Sequence, residues 1–206
     1  MVPRLRWEGA MAVKRIFDLV VATVLLVLSA PLMAAIAVLV KLSSPGPVFF
    51  RQVRTGMNGR QFRMIKFRTM VDGAESLIRH SHNSITQGPV FKDPNDYRIT
   101  PAGRYLRRLS LDELPQLFNV LKGEMSMVGP RPLPLDEADQ VRGEHRRRFS
   151  VPPGITCFWQ ISGRSDVSYE NWMRYDLEYV DKWTIWSDTS LLLQTVSAVL
   201  SRKGAY

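Results

Sequence analysis

The sequence predicts an α+β fold, mainly helical: an N-terminal re-entrant membrane helix, a small β-hairpin and interfacial amphipathic helices around one polar domain. Three observations carry this. Residues 16–40 form an apolar run interrupted only by Asp18, Thr23, Ser29 and Pro31, and about 20 such residues cross a bilayer. Two segments rich in β-branched, aromatic or alternating residues flank Gly56-Met57-Asn58-Gly59, whose Asn-Gly is a strong hairpin signal. Several later stretches place apolar residues at helical spacing.

The chain has 206 residues, and one compact domain plus an anchoring element is the simplest division. The expected division is a lead-in and membrane helix over 1–43 and a membrane-associated domain over 44–206. The net charge of +9 is unevenly placed, because Lys41–Met70 holds seven cations (Lys41, Arg51, Arg54, Arg60, Arg63, Lys66, Arg68) and no acid. Such a patch suits nucleic acid, anionic lipid or a nucleotide diphosphate. Following directly on the apolar run, it would lie against lipid headgroups. The only cysteine, Cys157, rules out an internal disulfide and fits a reducing, cytoplasmic setting. With no evident helix N-terminus or His partner nearby, it reads as a packing residue.

Residues 1–13 are a short polar lead-in. In the apolar run that follows, Asp18 is costly unless paired, and Lys14 and Arg15 lie at helical pairing distance, so Asp18 is expected as an interfacial anchor. A secretory signal, suggested by Ala35-Ile36-Ala37, competes poorly because the run continues past that site. Both flanks are basic, with Lys14 and Arg15 before and Lys41, Arg51 and Arg54 after, which favours cytoplasm at both ends. Pro31 removes a helical hydrogen bond near the middle and Ser29 can satisfy a freed carbonyl. The expectation is a helix-break-helix at Ser29–Pro31 that returns to the same side. Ser43-Ser44-Pro45-Gly46-Pro47 ends the helix. In the hairpin, over 48–54 and 61–70, Lys66 and Arg68 are two apart and would point the same way, toward one polyanion.

Residues 72–84 read as a short helix and 85–100 as a polar loop; His80 and His82 there are weak evidence for zinc. Residues 98–109 read as a helix with Thr100 as N-cap and Pro101 at its first position, delivering Arg107 and Arg108. A charged helix over 135–149 ends in Arg146-Arg147-Arg148, read as a solvated or headgroup-facing run. Val151-Pro152-Pro153-Gly154 turns into a short extended segment over 155–161. Residues 168–182 show an aromatic stripe at helical spacing that reads as core, and 183–200 suit an interfacial helix.

The chemistry concentrates in Arg107–Pro132. Asp112 and Glu113 sit side by side after Arg107 and Arg108, and Arg131 follows between two prolines. Guanidinium groups pair with phosphoryl oxygens in a fork, and a carboxylate can hold a divalent metal or attack phosphorus. Ser110-Leu111-Asp112-Glu113 also fits a capping box, in which the carboxylates would only complement a helix start. Pro115 argues against a regular one, since it would fall within the helix, so the start must be irregular or shifted.

The run L-D-E-L-P-Q-L-F-N-V-L-K-G-E-M-S-M-V-G-P-R-P resembles the signature of the bacterial sugar transferases, monotopic phosphoglycosyl transferases. So do K-R-I-F-D at 14–18, K-F-R-T-M at 66–70, P-G-I-T at 153–156 and Q-I-S-G-R at 160–164. Together they cover the chain from about residue 12 to the C-terminal helix. The resemblance implies a cytoplasmic catalytic domain on the bacterial inner membrane that moves a sugar 1-phosphate from a UDP-sugar to polyprenyl (undecaprenyl) phosphate. This would release UMP as a first membrane step of glycan assembly. It implies Asp112 as nucleophile forming a covalent phosphosugar enzyme, Glu113 as base, and Arg107 on phosphate. Arg131 is expected to reach the nucleotide, Lys66 and Arg68 to meet phosphate, and Arg164 and Asp176 to contact sugar or nucleotide. Mg²⁺, held by Asp112, fits carboxylate and phosphate ligands. The family's membrane break is likewise a serine and a proline, here separated by Ala30.

Cys157-Phe158-Trp159 departs from the commoner pattern, where glycine follows the threonine, and leaves the sugar open. Expected partners are the UDP-sugar, polyprenyl phosphate and anionic lipid, without nucleic acid; oligomeric state is open. The lead-in suggests a self-sufficient form, against a catalytic portion of a larger transferase. The competing class is a membrane-anchored polyanion-binding module, which explains the basic patch and leaves Asp112 and Glu113 idle.

Overall fold

The computed structural model describes residues 4–74, 76–77, 96–162 and 167–201. Most of the helix expected over 72–84, most of the loop after it, His80, His82 and Arg164 lie outside the described residues. The described chain is mainly helical with a small sheet.

Helix α1, Arg4–Ser43, runs for 40 residues, about 60 Å at 1.5 Å per residue. Within its Gly9–Ser43 stretch the most apolar 18 residues have a mean hydropathy of 2.6, and the stretch is long and apolar enough to cross a membrane. Val20, Val24, Val27 and Leu28 are exposed along it. Pro31 sits inside the helix, which continues on both sides. The expected gap between two helices is therefore one helix carrying a proline. Ser29 Oγ lies 3.5 Å from the Leu26 carbonyl, and the surrounding turns keep their own bonds when one N–H is lost.

The basic and acidic residues at the start of α1 dock it rather than pair with one another, which corrects the reading of Asp18 as an interfacial anchor. Asp18, 3% exposed, accepts from Ser126 Oγ and Met127 N, each at 2.9 Å. Lys14 Nζ donates to Asp188 Oδ2 at 2.5 Å and to the Val128 carbonyl at 2.9 Å. Arg15 donates to the Val120 and Leu121 carbonyls at 2.5 and 2.8 Å. Those carbonyls end helix α3, Gln116–Lys122, where unsatisfied acceptors and the helix dipole favour a cation.

Strands β1, Phe49–Thr55, and β2, Gln61–Phe67, form the expected hairpin. Asn58 (φ 55°) and Gly59 (φ 77°) supply its left-handed turn. A short β4, Leu133–Pro134, adds to β1 on the other side. Strands β3, Ser126–Val128, and β5, Gly154–Thr156, pair in parallel. They approach closely at two glycines: a Cβ on Gly129 would lie 2.3 Å from the Pro152 carbonyl oxygen.

Helix α2, Pro101–Arg108, begins as expected, Thr100 Oγ1 accepting from Gly103 N. The continuous helix expected over 135–149 is not formed. Instead a four-residue α4, Leu135–Ala138, is followed after the left-handed Gly143 (φ 57°) by a 3-10 stretch, Gly143–Ser150. The segment after Gly154 is only partly extended, because Phe158–Ile161 forms α5. Helix α6, Tyr169–Lys182, buries Trp172, Met173 and Tyr179, so the aromatic stripe is core. Helix α7, Ile185–Ser201, leaves Trp186, Leu193 and Val196 exposed and holds Asp188 inward, where Tyr179 Oη and Trp183 Nε1 donate to it.

Candidate active site

Beyond α2 the chain reverses at Ser110, whose φ of 54° is left-handed. The competing capping box is not formed, and the helix start is irregular as Pro115 requires: Ser110 makes no side-chain cap, Leu111–Glu113 is a single 3-10 turn, and α3 starts only after Pro115. Proline is tolerated there because a residue before the helix interior has no intrahelical bond to lose. Leu111 and Leu114 pack with Leu106 and Phe67 onto Met33, Ile36 and Val40 of α1. This apolar underside fixes the turn, and Asp112 and Glu113 line a cavity of about 880 Å³.

The two neighbouring carboxylates have different surroundings. Glu113 Oε1 accepts from Lys66 Nζ at 2.7 Å and Arg131 Nη1 at 3.2 Å. Burial alone would raise its pKa, but those two cations prevail and hold it down at about 2. Asp112, 7% exposed, makes no hydrogen bond with the described residues. Burial raises its carboxyl above the usual range, Glu113 adding to the rise while Lys66 and Arg107 oppose it. Two adjacent titratable groups pushed apart in this way point to different roles.

The cations are positioned from three elements. Asn119 on α3 is fully buried; it accepts from Ile65 N at 3.1 Å and donates to the Arg63 carbonyl at 2.8 Å. That seam fixes β2, and with it Lys66. Arg107 at the end of α2 donates through Nε to Thr69 Oγ1 at 3.1 Å, leaving its two terminal nitrogens without partners among the described residues. Arg131, between two prolines, lies 5.8 Å over the Trp159 ring. Its carbonyl accepts from Arg148 Nη2 at 2.9 Å.

Six expected residues thus line one cavity: Lys66, Arg68, Arg107, Asp112, Glu113 and Arg131. Two of the expected residues have structural work. Arg68 edges the cavity but donates to the Val40, Ser44 and Pro45 carbonyls, tying the end of α1 to the end of β2. It lies one residue beyond β2. Asp176, 2% exposed, accepts from Arg148 Nε and Nη2 at 2.9 and 2.6 Å, which makes it a brace behind Arg131 instead of a ligand contact. Arg148 itself, 2% exposed, corrects the reading of Arg146-Arg147-Arg148 as a wholly solvated run. Cys157 is buried and burial pushes its thiol well up, consistent with packing.

Sequence reasoning missed Thr69 and Asn119 and misread Arg148. An isolated Thr or Asn carries no spacing signal, and nothing in the Arg146-Arg147-Arg148 run marks which arginine turns inward. No group of three or more His, Cys, Asp or Glu that could hold a metal occurs among the described residues. The uncommitted Asp112 carboxylate remains a fit for Mg²⁺, which commonly takes one or two carboxylates, waters and substrate phosphates.

Residues 9–202 match the model of a family described as bacterial sugar transferase. The chain is 41% identical over 198 residues to an undecaprenyl-phosphate galactose phosphotransferase of Salmonella typhimurium, covering 94% of this chain and 41% of that protein. It is 42% identical over 201 residues to a UDP-glucose:undecaprenyl-phosphate glucose-1-phosphate transferase of Xanthomonas campestris, covering 94% and 40%. It is 41% identical over 203 residues to the exopolysaccharide production protein ExoY of Rhizobium meliloti, covering 96% and 89%. The chain thus spans about two fifths of the first two proteins and most of the third.

Proposed function

The chain belongs to the bacterial sugar transferase family, and from that premise we propose that it transfers a sugar 1-phosphate from a UDP-sugar to polyprenyl phosphate, such as undecaprenyl phosphate. The observation that carries this reading is the pair of unlike carboxylates ringed by Lys66, Arg107 and Arg131 in one cavity. A site with three cations and one uncommitted carboxylate suits a pyrophosphate and a nucleophile.

In the proposed reaction an Asp112 oxygen attacks the β-phosphorus, and the bond from that phosphorus to the bridging oxygen breaks. The electron pair leaves with UMP. A polyprenyl phosphate oxygen then attacks the same phosphorus and returns Asp112 as a carboxylate. Splitting the transfer lets the water-soluble UMP leave before a lipid acceptor reacts. Arg107 offers its free fork to the phosphoryl oxygens, and Lys66 and Arg131 add fixed positive charge at the β-phosphate. Mg²⁺, held by Asp112, would supply neutralisation of the pyrophosphate.

Glu113 was expected as the base, but a carboxylate held at about 2 is a weak proton acceptor, and an ionised phosphate acceptor needs none. Its assigned role is to hold Lys66 and Arg131 in place. Residues 1–43 would anchor the chain and 44–206 carry the chemistry on the cytoplasmic face, with α7 lying in the interface and α1 re-entrant through a bend at Pro31, the proline inside the otherwise continuous helix.

The test is incubation with polyprenyl phosphate, Mg²⁺ and a panel of UDP-sugars. Release of UMP that requires the lipid phosphate is expected from at least one donor. No UMP from any donor would favour a membrane-anchored polyanion-binding module.

A further inference from the structure

The cavity continues past the carboxylate pair to a second wall that the proposed reaction does not use. On the near side, Arg107 is tied to Thr69, beside Asp112. On the far side, Trp159 and Trp172 lie with ring centroids 5.0 Å apart and planes tilted by 43°, and pack with Leu133. Arg54 and Glu137 line the cavity with them. Arg131 joins the two sides, reaching Glu113 through Nη1 while its guanidinium overlies Trp159.

Three polar groups on this wall lack partners among the described residues. Arg54 Nε and Trp172 Nε1 are buried without a hydrogen-bond partner there. The Glu137 carboxyl makes no hydrogen bond or ion pair with the described residues, and burial pushes it up to about 7. Orphaned buried polar groups are uncommon and call for a ligand or ordered water. Here two donors and one carboxyl face apolar aromatic walls, the usual make-up of a small-molecule pocket. Hydroxyl groups, which both donate and accept, complement such a set. A planar nucleobase would use the aromatic faces but fewer of these scattered polar groups.

We propose that Glu137, with Arg54 and the Trp159–Trp172 wall, forms the sugar subsite, and that Glu137 determines which hexose is accepted by bonding its ring hydroxyls. This rests on the phosphosugar-transfer reading. In that reading the sugar is bonded to the phosphorus attacked by Asp112, so it must lie within one ring of the carboxylate pair. Arg131 spans that distance, touching both Glu113 and the wall.

The test compares wild type, Glu137→Gln and Trp172→Phe with a panel of UDP-sugars that includes epimers differing at one hydroxyl, and measures UMP as a product inhibitor. Glu137→Gln should lower kcat/KM for the preferred donor by about 10- to 100-fold, the scale of one hydrogen bond to a charged group. Discrimination between epimers should shrink by a similar factor, with UMP inhibition unchanged. Trp172→Phe, which removes the indole N–H but keeps an aromatic ring, should weaken the same donors by a smaller factor. A parallel loss of UMP affinity would make the wall a nucleotide site and overturn the proposal. So would an equal loss for all donors with discrimination intact, or no change. A wild type that releases no UMP sinks the transfer reading and this one with it; an active wild type with an indifferent Glu137→Gln sinks this one alone.

Discussion

Asp112 and Glu113 are neighbours in sequence and differ in what they touch, so changing each should have a different consequence. Asp112→Asn keeps the size of a side chain that bonds nothing nearby, so the protein should fold with an unchanged melting temperature. Its UMP release should fall by roughly three or more orders of magnitude, as loss of a covalent catalyst commonly does. Near-normal release would remove the nucleophile assignment. Arg107→Lys loses both the Thr69 tether and the fork, and a drop of about 10- to 100-fold in kcat/KM is expected. An unchanged value would remove the phosphate role. Asp176 supplies a pH dependence. Burial raises its carboxyl from 3.8 to about 6 although Arg148 pulls the other way. The folded state therefore keeps a proton across that window that the unfolded state has lost. The resulting stabilisation is present below the unfolded value and disappears as pH rises through about 6. Relative to Asp176→Asn, the wild-type melting temperature should decline between about pH 4 and 7. A parallel pair of curves would contradict this.

At the scale of elements, the site is held by close contacts of backbone. Helix α2 carries Arg107, and its first turn sits directly on the Thr69 backbone. A Cβ added at Gly103 would lie 2.0 Å from the Thr69 carbonyl oxygen, and backbone cannot yield as a side-chain tip can. Gly103→Ala should therefore displace α2, cost on the order of 1–3 kcal/mol as overpacking does, and lower kcat/KM with it. Denaturant midpoints together with UMP release would measure both, and a variant as stable and active as wild type would show that α2 is not fixed there. The same logic explains Lys14, Arg15 and Asp18. They bind α1 to α3, β3 and α7, so the long apolar helix and the Asp112–Glu113 turn share one packed unit.

For the molecule as a whole, the proposed re-entrant course of α1 makes a prediction about its N-terminal end. Gly9 is exposed on α1 with space for a side chain, and Cys157 is buried with its thiol pushed up. Gly9→Cys therefore introduces one reactive thiol. In intact cells an impermeant thiol reagent should leave it unmodified, and lysis should expose it, because a re-entrant α1 keeps both ends in the cytoplasm. Modification before lysis would mean that α1 crosses.

The sequence by itself determined the elements whose signal is local. Asn-Gly set the hairpin turn, Thr100-Pro101 set the start of α2, the apolar run set α1, and the motif residues named Lys66, Arg107, Asp112, Glu113 and Arg131. Pro115 also announced that no regular helix could begin at Ser110. Tertiary structure decided which polar groups the fold consumes. Arg68 and Arg131 look equally suited to phosphate in the sequence, yet Arg68 is used up on the carbonyls around the end of α1. Asp18 and Asp176 read as an anchor and a ligand contact, and both became buried braces once their partners, Met127 and Arg148, were brought in from distant positions. The split between Asp112 and Glu113 has the same origin. A pKa depends on burial and on charges that converge from separate elements, and no spacing along the chain records that convergence.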